Sequence, residues 1–209
     1  WSFDDAGSEY YRMLVRDLET GHDLPDRVEN TGGGGAFDAA GDGFFYTVLD
    51  ENHRPIAIRY HRLGTAEEAD ATVYEEADPG FFIDVHGSLI NDFVFISIND
   101  HETSEIRLIP ADDPLSEPKL VAARVPGVQY SLTEAMDVFY ILTNADGAKD
   151  FKICQAPASD PSQINWIDLV PHREGCLILS VSAYQNHMVR LEREDGLPRI
   201  VIRDRSTGH

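Results

Sequence analysis

The chain repeats itself. Four strongly apolar segments, FFYTVLD (44–50), FVFISIND (93–100), VFYILTNAD (138–146) and HMVRLERED (187–195), align on Tyr46, Phe95, Tyr140 and Val189 at steps of 49, 45 and 49 residues. A period of that length marks a fold in which one supersecondary unit stacks on copies of itself, and it narrows the possible architectures more than any other feature. Each segment is followed by a polar turn and a second, alternating strand: IAIRYHRL from Ile56, EIRLI from Glu105, DFKIC from Asp150 and RIVIRD from Arg199. An earlier copy of that second strand, MLVRDLETG (13–21), and its final counterpart, IVIRDRSTG (200–208), set Asp17 and Asp204 187 residues apart, the span of four steps. Units open at Gly80, Gly127 and Gly175 with the β-rich runs FFIDV, VQYSL and CLILSV, and close on the shorter strands ATVYEE (71–76), PKLVAA (118–123) and INWIDLV (164–170).

Four strands per unit of 45 to 49 residues is the arithmetic of a β-propeller. The expected fold class is therefore all-β: a partial β-propeller of four-stranded antiparallel blades, about four to five of them. The blades fall at approximately 1–30 (partial), 32–77, 78–125, 126–173 and 174–209 (partial), with roughly eighteen strands in all. A sheet stacked between neighbours is covered on both faces, so its second strand should be apolar at nearly every position, as FVFISI is. The third strand can carry one polar face, with Arg59 and His61 on the same side. The sequence begins at Trp1 without a methionine, and an unclosed arc would leave sheet faces and strand edges bare. The parent chain is expected to continue in both directions, and self-association through the open edges is expected of the piece alone.

The 37 acidic against 17 basic side chains give a formal charge of −20, which repels nucleic acid and anionic lipid and favours cationic partners. The same acids also serve solubility without any dedicated basic-ligand site. The longest apolar runs, such as CLILSV (176–181), are far too short to cross a bilayer as a helix, so no membrane partner is expected. Cys154 and Cys176 lie in strand-like stretches and read as buried free thiols, with a disulfide or a metal pair as the alternative.

Two stretches imitate ligand loops. TNADGAKDFKI (143–153) groups Asn144, Asp146 and Asp150 around a glycine, but it lacks the later acidic ligand of a calcium loop. The same position in other repeats is occupied by LDENHRP, NDHETSE and REDGLPR, so it reads as a strand-joining hairpin. TGGGGAFD (31–38) lacks the Lys-Ser or Lys-Thr and the helix of a phosphate loop, and reads as close backbone packing around an innermost strand. The eight histidines are dispersed, and no G-x-S-x-G elbow occurs, so neither a metal site nor a catalytic nucleophile is assigned, and no cofactor is expected. LDENHRP (49–55) is the most suggestive loop, because Glu51, His53 and Arg54 offer both signs of charge and Pro55 stiffens the exit. These three residues are the candidate substrate or interdomain contacts, the alternative being a solvated turn.

The stretches LDENHRP, YEEADPGFF (74–82), ISINDHETSEIRLI (96–109), YILTNADGAKDFK (140–152), DLVPHREG (168–175) and LEREDGLPRI (191–200), in that order and spacing, resemble the propeller portion of the oligopeptidase B branch of the prolyl oligopeptidase family. The resemblance runs over nearly the whole chain. It implies a cytosolic serine peptidase in which a seven-bladed propeller caps an α/β-hydrolase domain and short peptides are cut after Lys or Arg. The hydrolase domain is missing from this chain, so no catalytic residue carries over. The implied partners are short basic peptides and that missing domain. The other readings are a propeller scaffold for protein binding and a propeller enzyme with carboxylates or a metal on its axis.

Overall fold

The structure is a computed structural model and describes residues 1–208. Among these, seventeen β-strands are formed: β1 Ser2–Phe3, β2 Tyr11–Arg16, β3 Asp23–Phe37, β4 Gly43–Leu49, β5 Pro55–Arg62, β6 Ala71–Glu75, β7 Phe82–Gly87, β8 Phe93–Asn99, β9 Ser104–Pro110, β10 Lys119–Ala122, β11 Tyr130–Ala135, β12 Val138–Thr143, β13 Lys152–Pro157, β14 Ile167–Val170, β15 Cys176–Ala183, β16 His187–Glu194 and β17 Leu197–Asp204. Helical structure among the described residues is limited to three 3-10 turns, at Glu67–Ala69, Ala145–Gly147 and Gln163–Asn165. None is long and apolar enough to cross a membrane. The strands form sheets in the orders β1-β2-β3-β4-β5-β6, β10-β9-β8-β7, β11-β12-β13-β14 and β15-β16-β17.

Three of the four second strands obey the burial expected of covered sheets, and the fourth, β16, buries only Met188 and Glu192. Phe44, Phe45 and Tyr46 of β4, Val94, Ile96 and Ile98 of β8, and Phe139, Tyr140 and Ile141 of β12 are all buried. Each such side chain stabilises the fold by about 1.5–3 kcal/mol relative to exposure.

The chain divides into two compact units, Trp1–Asp100 with Ile106–Lys119, and His101–Glu105 with the residues from Leu120 onward. In the first unit, Ala36, Phe45, Ile58 and Tyr60 pack with Ile83, Val85, Val94, Ile96, Ile98 and Ile109, so that β3 to β5 face β7 to β9 across an apolar layer. In the second, Tyr140, Leu142 and Ile153 pack against Ile178, Ala183 and Met188, joining the β11–β14 sheet to β15 and β16.

The strand count falls one short of the eighteen expected, and the reason is β3. Its first half pairs with β2 (Val28 opposite Met13) and its second half with β4 (Ala36 opposite Phe45), so one strand runs without a break near residue 30 and joins β1 to β6 into a single six-stranded sheet. The glycine run makes this passage possible. Gly33 has φ +82 and a Cβ there would stand 2.8 Å from the Tyr11 ring, while one on Gly35 would strike the Phe45 carbonyl.

The repeat is visible in its turns as well. Asp17 Oδ1 accepts the N–H groups of Glu19 and Thr20, and Asp204 Oδ1 accepts those of Ser206 and Thr207. In both copies the glycine four residues on donates its N–H back to the aspartate carbonyl, with positive φ. Asx chemistry thus ends the third strand identically at the two extremes of the chain.

Candidate functional site

The LDENHRP segment is the β4–β5 turn. Asp50 organises it: its Oδ1 accepts the N–H groups of Asn52 at 2.8 Å and Arg54 at 2.9 Å. The Arg54 amide, foremost among these donors, holds the Asp50 carboxyl below its ordinary value. His53 takes φ 59 at the tip, a left-handed conformation that the Asx bonding accommodates.

From this turn the three candidate side chains go to different places. His53 lies against the Tyr10 ring at 4.2 Å, and the Tyr10 hydroxyl donates to the Asp50 carbonyl at 2.7 Å. Arg54 stacks over Phe82 at 4.1 Å and reaches the Phe81 carbonyl with Nη2 at 3.4 Å. Glu51 is exposed and makes no hydrogen bond or ion pair among the described residues. Arg54 and His53 therefore brace the turn against its neighbours, and Glu51 alone presents an unengaged charge.

The bracing recurs along the chain with changed chemistry. At the β8–β9 turn, the Thr103 hydroxyl accepts the Gly127 N–H at 3.2 Å. At the β12–β13 turn, Asp150 Oδ2 accepts the Gly175 N–H at 2.8 Å. These three turns between second and third strands thus tie to the start of the following repeat, at or beside Gly80, Gly127 and Gly175. Asn144, Asp146 and Asp150 of TNADGAKD are spread among separate bonds. Asn144 Oδ1 accepts the Gln129 N–H, Asp146 pairs with Lys152 at 3.0 Å, and Asp150 holds Gly175.

The cysteines are free and buried. Cys154 donates to Asp168 at 3.3 Å, and burial, followed by that carboxylate, pushes its thiol up to about 12.

One polar cluster was not anticipated. Arg59 and His61 do share a side of β5, but that side is not solvated: His61 is 0 % exposed. Its Nδ1 lies 2.7 Å from Asp70 Oδ1 and its Nε2 3.1 Å from Asp26 Oδ1. Asp70 also accepts the Tyr46 hydroxyl at 2.8 Å, and Asp26 also accepts the Gly64 N–H. Burial, and then the Asp70 hydrogen bond, raise the Tyr46 phenol well above its ordinary value. Carboxylate, imidazole and carboxylate in line could pass a proton, yet the sealed ring can meet no substrate, and the arrangement works as a polar strut between β3, β5 and the segment before β6. The alternation in IAIRYHRL signalled the polar face. The partners, 35 and 9 residues away, were not deducible from it.

All of residues 1–209 match the family described as prolyl oligopeptidase, N-terminal beta-propeller domain. Protease 2 of Moraxella lacunata is 34% identical over 198 residues, covering 94% of this chain and 28% of the relative. Dipeptidyl aminopeptidase BI of Pseudoxanthomonas mexicana is 32% identical over 209 residues, covering 99% of this chain and 29% of the relative. Among solved structures, oligopeptidase B from Leishmania major is similar with a TM-score of 0.90 at 27% identity, over 99% of this chain and 29% of that one. Oligopeptidase B from Trypanosoma brucei, in a closed form with covalently bound antipain, gives 0.85 at 26% identity, over 98% of this chain and 28% of that one. The chain spans less than a third of the length of these relatives. Its sheets are blades of a β-propeller, as the repeat required.

Proposed function

Because the chain belongs to the prolyl oligopeptidase family, as N-terminal propeller sequence, we propose that it forms part of the substrate gate of a serine oligopeptidase that cleaves short peptides after Lys or Arg. The observation that carries this reading is the match along the full chain to that propeller domain, together with the likeness to oligopeptidase B. In this role the chain supplies no catalytic group. Its partner is an α/β-hydrolase domain bearing the serine nucleophile. A propeller set over an active site admits only peptides small or flexible enough to enter, and its closure excludes water from the reaction.

The preference for basic peptides is supported by the charge of −20, which steers cationic substrates toward the protein. Glu51 is the candidate contact for a basic side chain or for the hydrolase domain, since its carboxylate is exposed and unengaged. His53 and Arg54 hold the turn that presents it. The two buried free thiols accord with a cytosolic location. Self-association of the isolated chain is the companion proposal, supported by the exposed Ile200 and Ile202 on β17.

The test compares this chain with the same polypeptide extended to include a hydrolase domain, using reporter peptides ending in Arg or in Pro. The extended protein should cleave the Arg reporter preferentially and the 209-residue chain should cleave neither. Turnover by the chain alone, or a Pro preference in the extended protein, would overturn the reading.

A further inference from the structure

Within the second unit a cavity of about 660 Å³ opens where β14 and the linker that follows it meet β16 and β17. Three guanidiniums converge there. Arg199 stands opposite Glu192 in the β16–β17 register and bonds it at 2.7 Å, Arg190 bonds it at 2.8 Å, and Arg173 of the linker approaches it at 3.8 Å while pairing with Glu194 at 3.0 Å. The Glu192 side chain is buried and saturated by this arrangement.

Charge decides what the cavity can take. Three guanidiniums against two carboxylates leave one positive charge, in a chain whose total is −20. Cys176 with Glu192 and Glu194 could offer three atoms to a cation, all within 4.8 Å of one another. The guanidiniums already occupy those carboxylates and would repel it, so the cavity favours an anion.

Arg190 supplies the vacant donors. Its side chain is 17% exposed and uses only Nε on Glu192. Its two terminal nitrogens make no hydrogen bond among the described residues, and the residue lines the cavity. A largely desolvated guanidinium with its fork free is complementary to a planar, singly charged acceptor that can take two parallel N–H bonds. A carboxylate matches both that shape and the single excess charge. A phosphate dianion would bring a second negative charge beside Glu192 and Glu194.

We propose that this interblade cavity binds a carboxylate, from an acidic peptide or from a free organic acid, through Arg190 with Arg173 and Arg199 at its rim. Its volume suits a ligand the size of a short peptide or a small dicarboxylate, whose second carboxylate can remain in solvent away from Glu192 and Glu194, as the second charge of phosphate cannot. The inference concerns the cavity alone and does not depend on the peptidase reading.

Titration calorimetry on the folded 209-residue chain at low ionic strength tests it, with three probes: glutarate, the blocked tripeptide acetyl-Gly-Glu-Gly-amide, and inorganic phosphate. Saturable binding of glutarate identifies a free acid as the source, saturable binding of the tripeptide identifies a peptide, and either supports the site. Arg190→Met, which keeps the apolar stem, should weaken binding by about tenfold or more, and the Gln version of the tripeptide should not bind. Absence of saturation by both carboxylates, tighter binding of phosphate, or an unchanged affinity in Arg190→Met overturns the proposal. If that variant does not fold, glutarate should protect Arg190 of the unaltered chain from phenylglyoxal, read by peptide mass spectrometry. Equal modification with and without glutarate refutes the site.

Discussion

The buried strut around His61 makes a quantitative prediction. Replacing His61 by Leu keeps an apolar body at the site but leaves Asp26 and Asp70, whose side chains are 2% and 0% exposed, without their shared partner. Asp26 would retain the Gly64 N–H, and Asp70 the Tyr46 hydroxyl. Breaking a buried charged network from one side costs about 3–5 kcal/mol, because desolvated carboxylates are left uncompensated. At about 2–4 °C per kcal/mol for a chain of this length, the midpoint should fall by roughly 6–20 °C. The decisive comparison is a triple variant, His61→Leu with Asp26→Asn and Asp70→Asn, which removes the stranded charges together and should recover a large part of the loss. Thermal melts by far-UV circular dichroism, with urea titrations to check for an unchanged slope, measure both variants. A cost below about 1 kcal/mol for His61→Leu, or a triple variant worse than the single one, would show that the network is not held by charge compensation.

Three further outcomes are expected. Gly33→Ala should destabilise the chain by at least about 1 kcal/mol, since φ +82 is strained for an L side chain and the new Cβ would meet the Tyr11 ring; a neutral effect in urea titration would contradict the close passage of β3. Asp4 is lowered from its ordinary 3.8 to about 2, chiefly by the Glu9 N–H it accepts at 2.7 Å. Its folded value lies below its unfolded one, so its contribution is present in full above pH about 4 and lost as pH falls through about 2, which amide exchange at Glu9 would follow. Cys154 and Cys176 should resist Ellman's reagent in the native chain and react together in urea; rapid native reaction would contradict their burial.

How much of this was legible beforehand varies by element. The apolar runs of β4, β8 and β12 announced themselves because both of their faces are covered, and a strand with no polar position needs little context to be recognised. β3 was not legible as one strand: TGGGGAFD reads as close packing around an innermost strand, but nothing in the residues shows that this strand continues unbroken from the one before residue 30. His61 illustrates the opposite limit. Alternation placed it beside Arg59, but whether that side meets water depends on Asp26 and Asp70, which only the sheet register and the turn before β6 bring into range. Arg190, Arg199 and Glu192 likewise form a cluster only once β16 and β17 are paired, and Arg173 joins them from outside both strands. In the LDENHRP turn, charge singled out Glu51, His53 and Arg54, while the aromatic partners that engage His53 and Arg54 lie elsewhere in the chain.

The ties between successive repeats use a guanidinium on an aromatic ring at Arg54, a hydroxyl at Thr103 and a carboxylate at Asp150. Two of these connectors meet the same group, the N–H of an opening glycine, whereas Arg54 meets a carbonyl and a ring. Repeats carrying Thr103 or Asp150 can hand on to the same kind of successor, while the one carrying Arg54 needs a ring at the start of the next, so that single joint restricts the order in which copies can follow one another.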